Sequence, residues 1–149
     1  MNTSPQQRRS ALVDGLAVSG FVQIAAGALA GYPYAAASYK PEWVKGLGIQ
    51  APGRIRQLHL DLIMMGGLTT ATSVALPRLP RAVAVPLAIG TWTNALAFAP
   101  LAMRPSLDRS RPFRALVGTS FTVTAVSWVG VAAVALHRWS RRPPHTTER

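Results

Sequence analysis

The distribution of charged residues divides the chain into long apolar stretches separated by short basic ones. Four windows contain no Asp, Glu, Lys or Arg: residues 15–31, 62–77, 82–103 and 115–136. A transmembrane helix needs roughly 20 predominantly apolar residues, a length that these windows reach or approach. When the two shorter windows are extended to Ala11 and Leu58, the pattern predicts four spans, at about 11–31, 58–77, 82–103 and 115–136.

These spans predict an all-α protein, an integral membrane four-transmembrane-helix bundle that forms one domain over residues 1–149, with polar tails at 1–10 and 138–149. A soluble helical bundle is the alternative. Charged residues make up only 14% of the chain, against about 25% in soluble domains, which favours the membrane. The first span has its own alternative, a cleaved signal peptide, because Arg8 and Arg9 precede it. Its apolar run is longer than a usual signal core, which favours a retained helix.

The connections between spans differ in length and in proline content. Residues 32–56 are predicted to form a long loop, because Pro33, Pro41 and Pro52 oppose a continuous helix. The short connection 78–81 predicts that spans two and three form an antiparallel hairpin. Pro100 lies inside the third apolar stretch, where it predicts that the helix kinks or ends.

The net charge of +11 indicates an anionic partner, either nucleic acid or lipid headgroups. The basic residues cluster at the ends of the spans and do not form one helical stripe with interleaved aromatic residues, which argues against nucleic acid. Contact with the anionic headgroups of a lipid bilayer explains the placement. We therefore expect an integral membrane protein, of a bacterial-type cytoplasmic membrane. The two sets of loops carry equal numbers of Lys and Arg, so the orientation stays open.

Chemistry in this chain centres on a histidine near the start of the second span. The chain contains no cysteine, which excludes disulfides and thiolate sites. An ionisable residue at membrane depth costs about 2.5–3.5 kcal/mol on insertion scales, so His59 marks a functional site. Its imidazole can bind a metal, bind a heme iron or relay a proton. The alternative is an interfacial histidine that reaches the headgroups.

Two amides lie within apolar spans, Asn94 in the third and Gln23 in the first. An unpaired amide in hydrocarbon costs several kcal/mol, so each side chain should find a partner. With His59 they could line a small polar pocket with apolar walls, suited to a small hydrophobic substrate. Small and hydroxylated residues on the face of His59 indicate packing between helices; they are Gly66, Thr70 and Ser73. The roles of Asp14 and Asp61 stay open.

Two segments of the sequence together resemble a known family. The first runs from His59 to Gly66 and is followed by Leu76-Pro77-Arg78-Leu79; the second is Gly90-Thr91-Trp92-Thr93-Asn94. Their order and spacing are similar to those of the small heme-dependent membrane isomerases typified by styrene oxide isomerase and hydroxylaminobenzene mutase. The resemblance covers residues 57–98 well and the rest of the chain only by hydropathy.

The resemblance implies a homotrimer that binds heme b, with His59 as the axial ligand. The ferric iron would act as a Lewis acid while a bond of an epoxide or an aryl hydroxylamine rearranges. It also implies roles for other side chains. We expect Asn94, as the catalytic residue, to contact the substrate or the heme. Met65 and Trp92 should adjoin the cofactor, and Phe98 and Gln23 should line the substrate pocket, of which Trp92 would also form a wall.

The chain departs from the family pattern at two positions. Met65 stands where the family has asparagine, and Phe98 stands where styrene oxide isomerase has tyrosine. Both departures remove a hydrogen bond that could orient an epoxide. Three hypotheses follow: a heme-b membrane isomerase or mutase, a heme- or metal-binding protein without that activity, and a non-enzymatic membrane subunit or small-molecule carrier.

Overall fold

A computed structural model describes residues 5–141, and the side chains from residue 15 onward. In this part of the chain all regular structure is helical, which confirms the all-α prediction. The α-helices are α1 (Pro5–Tyr39), α2 (Pro41–Gly46), α3 (Pro52–Ala75), α4 (Arg81–Leu96), α5 (Phe98–Met103) and α6 (Arg111–Ser140). A 3-10 helix, Pro105–Arg109, connects α5 to α6.

Three segments within the described residues are long and apolar enough to cross a membrane, which is compatible with an integral membrane protein. They are Gly15–Tyr39, Arg81–Met103 and Arg111–Ser140. The sequence predicted four spans, and α3, although 24 residues long, is not among the three. The reason is the polar first half of α3, where Arg54, Arg56, His59 and Asp61 lower the mean hydropathy.

Several predicted boundaries shift in the structure. Helix α1 runs on to Tyr39 and α2 follows at once, so the prediction of a loop over 32–56 was wrong for most of that range. Pro33 lies inside α1, where alanine-rich sequence maintains the helix beyond it. The predicted polar tails are also shorter, because α1 includes residues 5–10 and α6 extends to Ser140. Residues 142–149 lie outside the described residues.

The third predicted span consists of two helices, α4 and α5, with a break at Ala97. Pro100 has no backbone N–H, so it cannot donate to the carbonyl of Leu96 four residues earlier. The interruption predicted from Pro100 is confirmed, and it falls within the turn that precedes the proline.

Helices α1 and α3 pack antiparallel through small residues. A Cβ placed on Gly20 would meet the hydroxyl of Thr70 and lie 2.6 Å from the carbonyl oxygen of Gly66. Further along, a Cβ on Gly27 would lie 3.0 Å from the backbone nitrogen of Ile63. Small residues allow such close approach in membrane helices. The packing role predicted for Gly66 and Thr70 is therefore confirmed.

Helix α6 packs against α4 and the 3-10 helix. The hydroxyls of Thr93 and Ser120 lie 2.6 Å apart, and a Cβ on Gly90 would lie 3.1 Å from the Cα of Thr124. By contrast, α1, α3 and α4 all contact one another. The interior of the molecule is therefore a three-helix cluster of α1, α3 and α4, with α6 added on the outer side of α4.

The two ends of this cluster differ. At one end, called the core end below, short helices and linkers cover a hydrophobic core made of Val44, Ile49, Ile55, Leu58, Leu62, Ala95 and Ala102. The backbone N–H groups of Gln50 and Ala51 donate to the carbonyl of Ala102 there, at 2.9 and 3.0 Å. The opposite end, called the turn end, carries the connection 76–80 between α3 and α4.

Candidate functional site

His59 lies in the contact between α1 and α3, near the core end. Its Nδ1 is 2.7 Å from the carbonyl oxygen of Gly27. A carbonyl oxygen only accepts hydrogen bonds, so Nδ1 must carry the hydrogen and donate it. In the neutral imidazole the lone pair then resides on Nε2. The fold therefore selects one tautomer of His59 and fixes the ring by one nitrogen.

Gly31 provides the space that the imidazole occupies. A Cβ placed on Gly31 would lie 3.0 Å from Cε1 and 3.1 Å from Nδ1 of His59. Gly27 therefore accepts the hydrogen bond of the ring, and Gly31 leaves the space in which the ring lies. Neither glycine was predicted from the sequence as part of the site. The signal that could have found them is their four-residue spacing in an apolar helix, the pattern of close helix contacts.

The arrangement of His59 suits a metal ligand. Histidines that bind metals almost always donate their other ring N–H to a carboxylate, a water or a backbone carbonyl, which holds the ring in place. Among residues 15–141, no group of three or more His, Cys, Asp and Glu side chains comes together. A metal at His59 would therefore take its other ligands from a porphyrin, from solvent or from another molecule.

A second polar feature lies deeper in the cluster, at the turn of α3 around Gly66. The side chain of Gln23 is fully buried. Within the described part of the chain its Oε1 and Nε2 have no hydrogen-bond partner, and neither has the hydroxyl of Thr69. The Cβ of Gln23 packs against Gly66, 2.9 Å from the place where a Cβ would be. A buried polar atom without a partner costs about 1–3 kcal/mol, so these atoms are suited to a polar ligand group.

Trp92 borders this polar region from α4. Its indole Nε1 donates to the hydroxyl of Ser19 at 3.0 Å, and Ser19 lies one turn before Gln23 on the same face of α1. Phe98 and Trp92 are both half-buried and pack against the hydrophobic core. The structure thus brings Trp92 close to the Gln23 region and uses Phe98 as part of the core wall.

The structure separates other predicted site residues. On α3, His59 contacts Gly31 and Gly66 contacts Gln23. His59 and Gly66 are seven residues apart, or about 10 Å along the helix. Asn94 is half-buried and follows Trp92 by two residues, so it lies on nearly the opposite face of α4. Met65, also half-buried, precedes Gly66 on α3.

A groove of about 570 Å³ lies at the turn end of the molecule. Its walls come from α1, α3 and α4, and they include Leu16, Ser73, Leu76 and Ala84. None of the six predicted site residues lines it. His59 and this groove therefore lie toward opposite ends of the helix cluster, and Gln23 and Trp92 lie between them.

The chain matches no family model, no curated protein and no solved structure.

Proposed function

We propose that the chain is a heme-b-dependent membrane isomerase or mutase in which His59 is the axial ligand. The observation that supports this most directly is the hydrogen bond from His59 Nδ1 to the carbonyl of Gly27. It leaves Nε2 with the lone pair that an iron ligand needs. The resemblance of residues 57–98 to heme-dependent isomerases points to the same residue.

The donor chemistry at His59 fits a heme. A heme needs only one or two axial ligands from protein, because the porphyrin supplies four nitrogens, and a single fixed imidazole meets that requirement. His59 is half-buried, so the residue is not fully enclosed by the chain. His59 would hold the heme, with Met65 and Trp92 beside it. When bound, a ferric heme would supply a Lewis acid.

The remaining residues would receive and orient a small hydrophobic substrate, an epoxide or an aryl hydroxylamine. Gln23 offers both a donor and an acceptor in an interior from which water is excluded. Asn94 would contribute a further amide, as the resemblance implies. Phe98 and Trp92 present apolar walls. No acid–base pair is required from the protein if the bond rearrangement relies on a Lewis acid.

We propose that α3 is a fourth membrane span. Its contacts with α1 run from His59 opposite Gly31 to Thr70 opposite Gly20, so the two helices are antiparallel. The short turn 76–80 then reverses the chain into α4, so that α1 and α4 run in the same direction. If both of those helices cross the bilayer, the chain must cross back between them, and α3 is the segment that does so.

The proposed assembly is a homotrimer in a bacterial-type cytoplasmic membrane. The trimer rests on the family resemblance. Helix α6 packs on α4 and the 3-10 helix and leaves Leu116, Phe121, Val126 and Val129 exposed. Those side chains can contact either lipid or another copy of the chain.

The decisive experiment is the visible absorption spectrum of the detergent-purified protein expressed with ample heme. Wild type should show a Soret band, and His59→Ala should lose it. His137→Ala is the matched control, because His137 is an exposed histidine near the end of α6 and its loss should leave the band unchanged. A featureless wild-type spectrum would reject the heme proposal and favour a membrane subunit or carrier.

A positive spectrum would then be followed by assays with epoxides and aryl hydroxylamines. Asn94→Leu should lower turnover while the Soret band and the oligomer are retained. Loss of the folded oligomer in that variant would instead assign Asn94 to helix packing.

A further inference from the structure

The groove at the turn end is apolar and opens to the side of the helix cluster. Its walls are formed mainly by Leu16, Leu76, Ala84, Val85, Ala88 and Ile89. Val85 and Ile89 are 53% and 56% exposed, so one wall continues into the outer surface of α4. If α4 crosses the bilayer, this opening faces the acyl chains of the lipid. The volume, about 570 Å³, is within the usual range for ligand pockets, roughly 300–1,000 Å³.

Two arginines border the same groove, Arg78 in the turn and Arg81 at the start of α4. Among residues 15–141, neither forms an ion pair; the pair present there joins Lys45 to Glu42. The other acidic residues of that range, Asp61 and Asp108, do not line the groove.

A third guanidinium adds to the positive charge at the turn. Arg138 of α6 donates to the carbonyl oxygens of Pro77 and Arg78, at 2.8 and 2.9 Å. Asp14 precedes Gly15 in the sequence, and its side chain lies outside the described part of the chain. The turn end is therefore an apolar groove with a positively charged rim.

We propose that this groove binds an anionic glycerophospholipid, with one acyl chain in the groove and the phosphate at Arg78 and Arg81. The walls match hydrocarbon, the rim matches a negative headgroup, and the side opening lets a lipid enter from the bilayer. The site is independent of the proposed heme site: Ser73, in the groove, and His59 are 14 residues apart on α3, or about 20 Å. The lipid proposal can fail without affecting the heme proposal.

Native mass spectrometry of the detergent-purified full chain tests the proposal, with dioleoylphosphatidylglycerol and dioleoylphosphatidylcholine as probes. Wild type should retain the anionic lipid in preference to the zwitterionic one. Each arginine near anionic lipid contributes about fivefold in affinity, so R78Q/R81Q should weaken phosphatidylglycerol binding about twenty-fivefold. R104Q/R109Q is the matched control, since both arginines are exposed at the core end, and it should retain wild-type binding.

Two further variants test whether the lipid occupies the groove and whether residues 142–149 compete with it. Ala84→Phe should reduce retention of both lipids by filling the groove, provided that its circular dichroism and elution volume match wild type. A chain truncated after residue 141 should bind the lipid at least as tightly as wild type.

Three results would overturn the proposal. The first is equal retention of the two lipids by wild type. The second is unchanged phosphatidylglycerol binding in R78Q/R81Q. The third is competition by glycerol 1-phosphate that is as effective, at equal concentration, as competition by the lipid. This molecule has the anionic phosphate without an acyl chain, so equal effectiveness would show that the groove is not used.

Discussion

The Nδ1 atom of His59 donates a hydrogen bond to the carbonyl oxygen of Gly27 across the interface of α1 and α3, at 2.7 Å. In the helix, that oxygen also accepts from the N–H of Gly31, four residues on, and a carbonyl has two lone pairs for the two donors. The histidine is thus positioned by backbone, and a substitution can disturb it only by moving a helix or filling the space beside the ring.

Gly31→Ala fills that space. The added Cβ would lie 3.0 Å from Cε1 of His59, closer than ordinary contact, so the ring must shift and the hydrogen bond to Gly27 should weaken. We expect a lower Soret absorbance per protein, and a changed ¹⁵N chemical shift of Nδ1 in NMR spectra of histidine-labelled protein.

Gly67→Ala is the matched control for that substitution. Gly67 lies on α3, and a Cβ placed there meets nothing within 4 Å. The spectra of this variant should equal those of wild type. Wild-type spectra in Gly31→Ala would show that the imidazole does not occupy the place described above.

Gly66→Ala should destabilise the contact between α1 and α3. The added Cβ would lie 2.6 Å from the carbonyl oxygen of Gly20, a backbone atom that cannot rotate away. Overpacking of this kind typically costs about 1–3 kcal/mol. The free energy of unfolding in mixed micelles, measured by titration with sodium dodecyl sulfate, should fall by that amount. Gly118→Ala, at a position on α6 with open space, should not lower it.

Much of the fold could be predicted from the positions of charged residues and prolines alone, and what could not be predicted has a physical cause. Charge-free windows located the apolar part of every long helix. Proline misled the assignment of one helix end: residues 32–39 also carry no charge, but the first span was ended at Gly31 because Pro33 follows, whereas α1 continues to Tyr39. The charge-free windows also could not show whether α3 is a membrane span, because its first half is polar although glycines of α1 and α3 approach each other closely.

The site was less predictable, because it depends on which helix faces which. His59 could be singled out by its charge, but Gly27 and Gly31 have no chemical group that marks them. Their role appears only once α1 is antiparallel to α3. The helical repeat alone puts Trp92 and Asn94 on nearly opposite faces of α4. Which of the two faces meets α1 depends on packing, and the structure shows that it is the face of Trp92.

Gln23→Leu should raise stability and lower activity. Leucine has a shape similar to glutamine and lacks the two buried atoms that have no partner. Removing a buried unpaired polar group typically gains about 1–3 kcal/mol, so the free energy of unfolding should increase. If Gln23 orients the substrate, turnover should fall in the same variant. A loss of stability would show instead that the amide is satisfied in the assembled protein.

Arg138→Gln should loosen the attachment of α6 to the turn end. The guanidinium of Arg138 donates to two carbonyl oxygens, of Pro77 and Arg78, which no helix hydrogen bond satisfies. Hydrogen bonds from a charged group are worth about 1.5–3 kcal/mol when buried and less when exposed to water, as here, so we expect a loss of about 1 kcal/mol. Hydrogen exchange of the backbone amides of residues 76–81 should speed up in parallel.

Arg141→Gln is the control for Arg138→Gln, because it removes the same charge one turn later, at an exposed position. If the two variants lost equal stability, the loss of one positive charge near the end of α6 would explain the effect. A loss confined to Arg138→Gln would show that its two hydrogen bonds join α6 to the α3–α4 turn. That connection matters because, within the described residues, α6 packs mainly on α4 and the 3-10 helix. The turn is a second place at which the outer helix is fixed to the three-helix cluster.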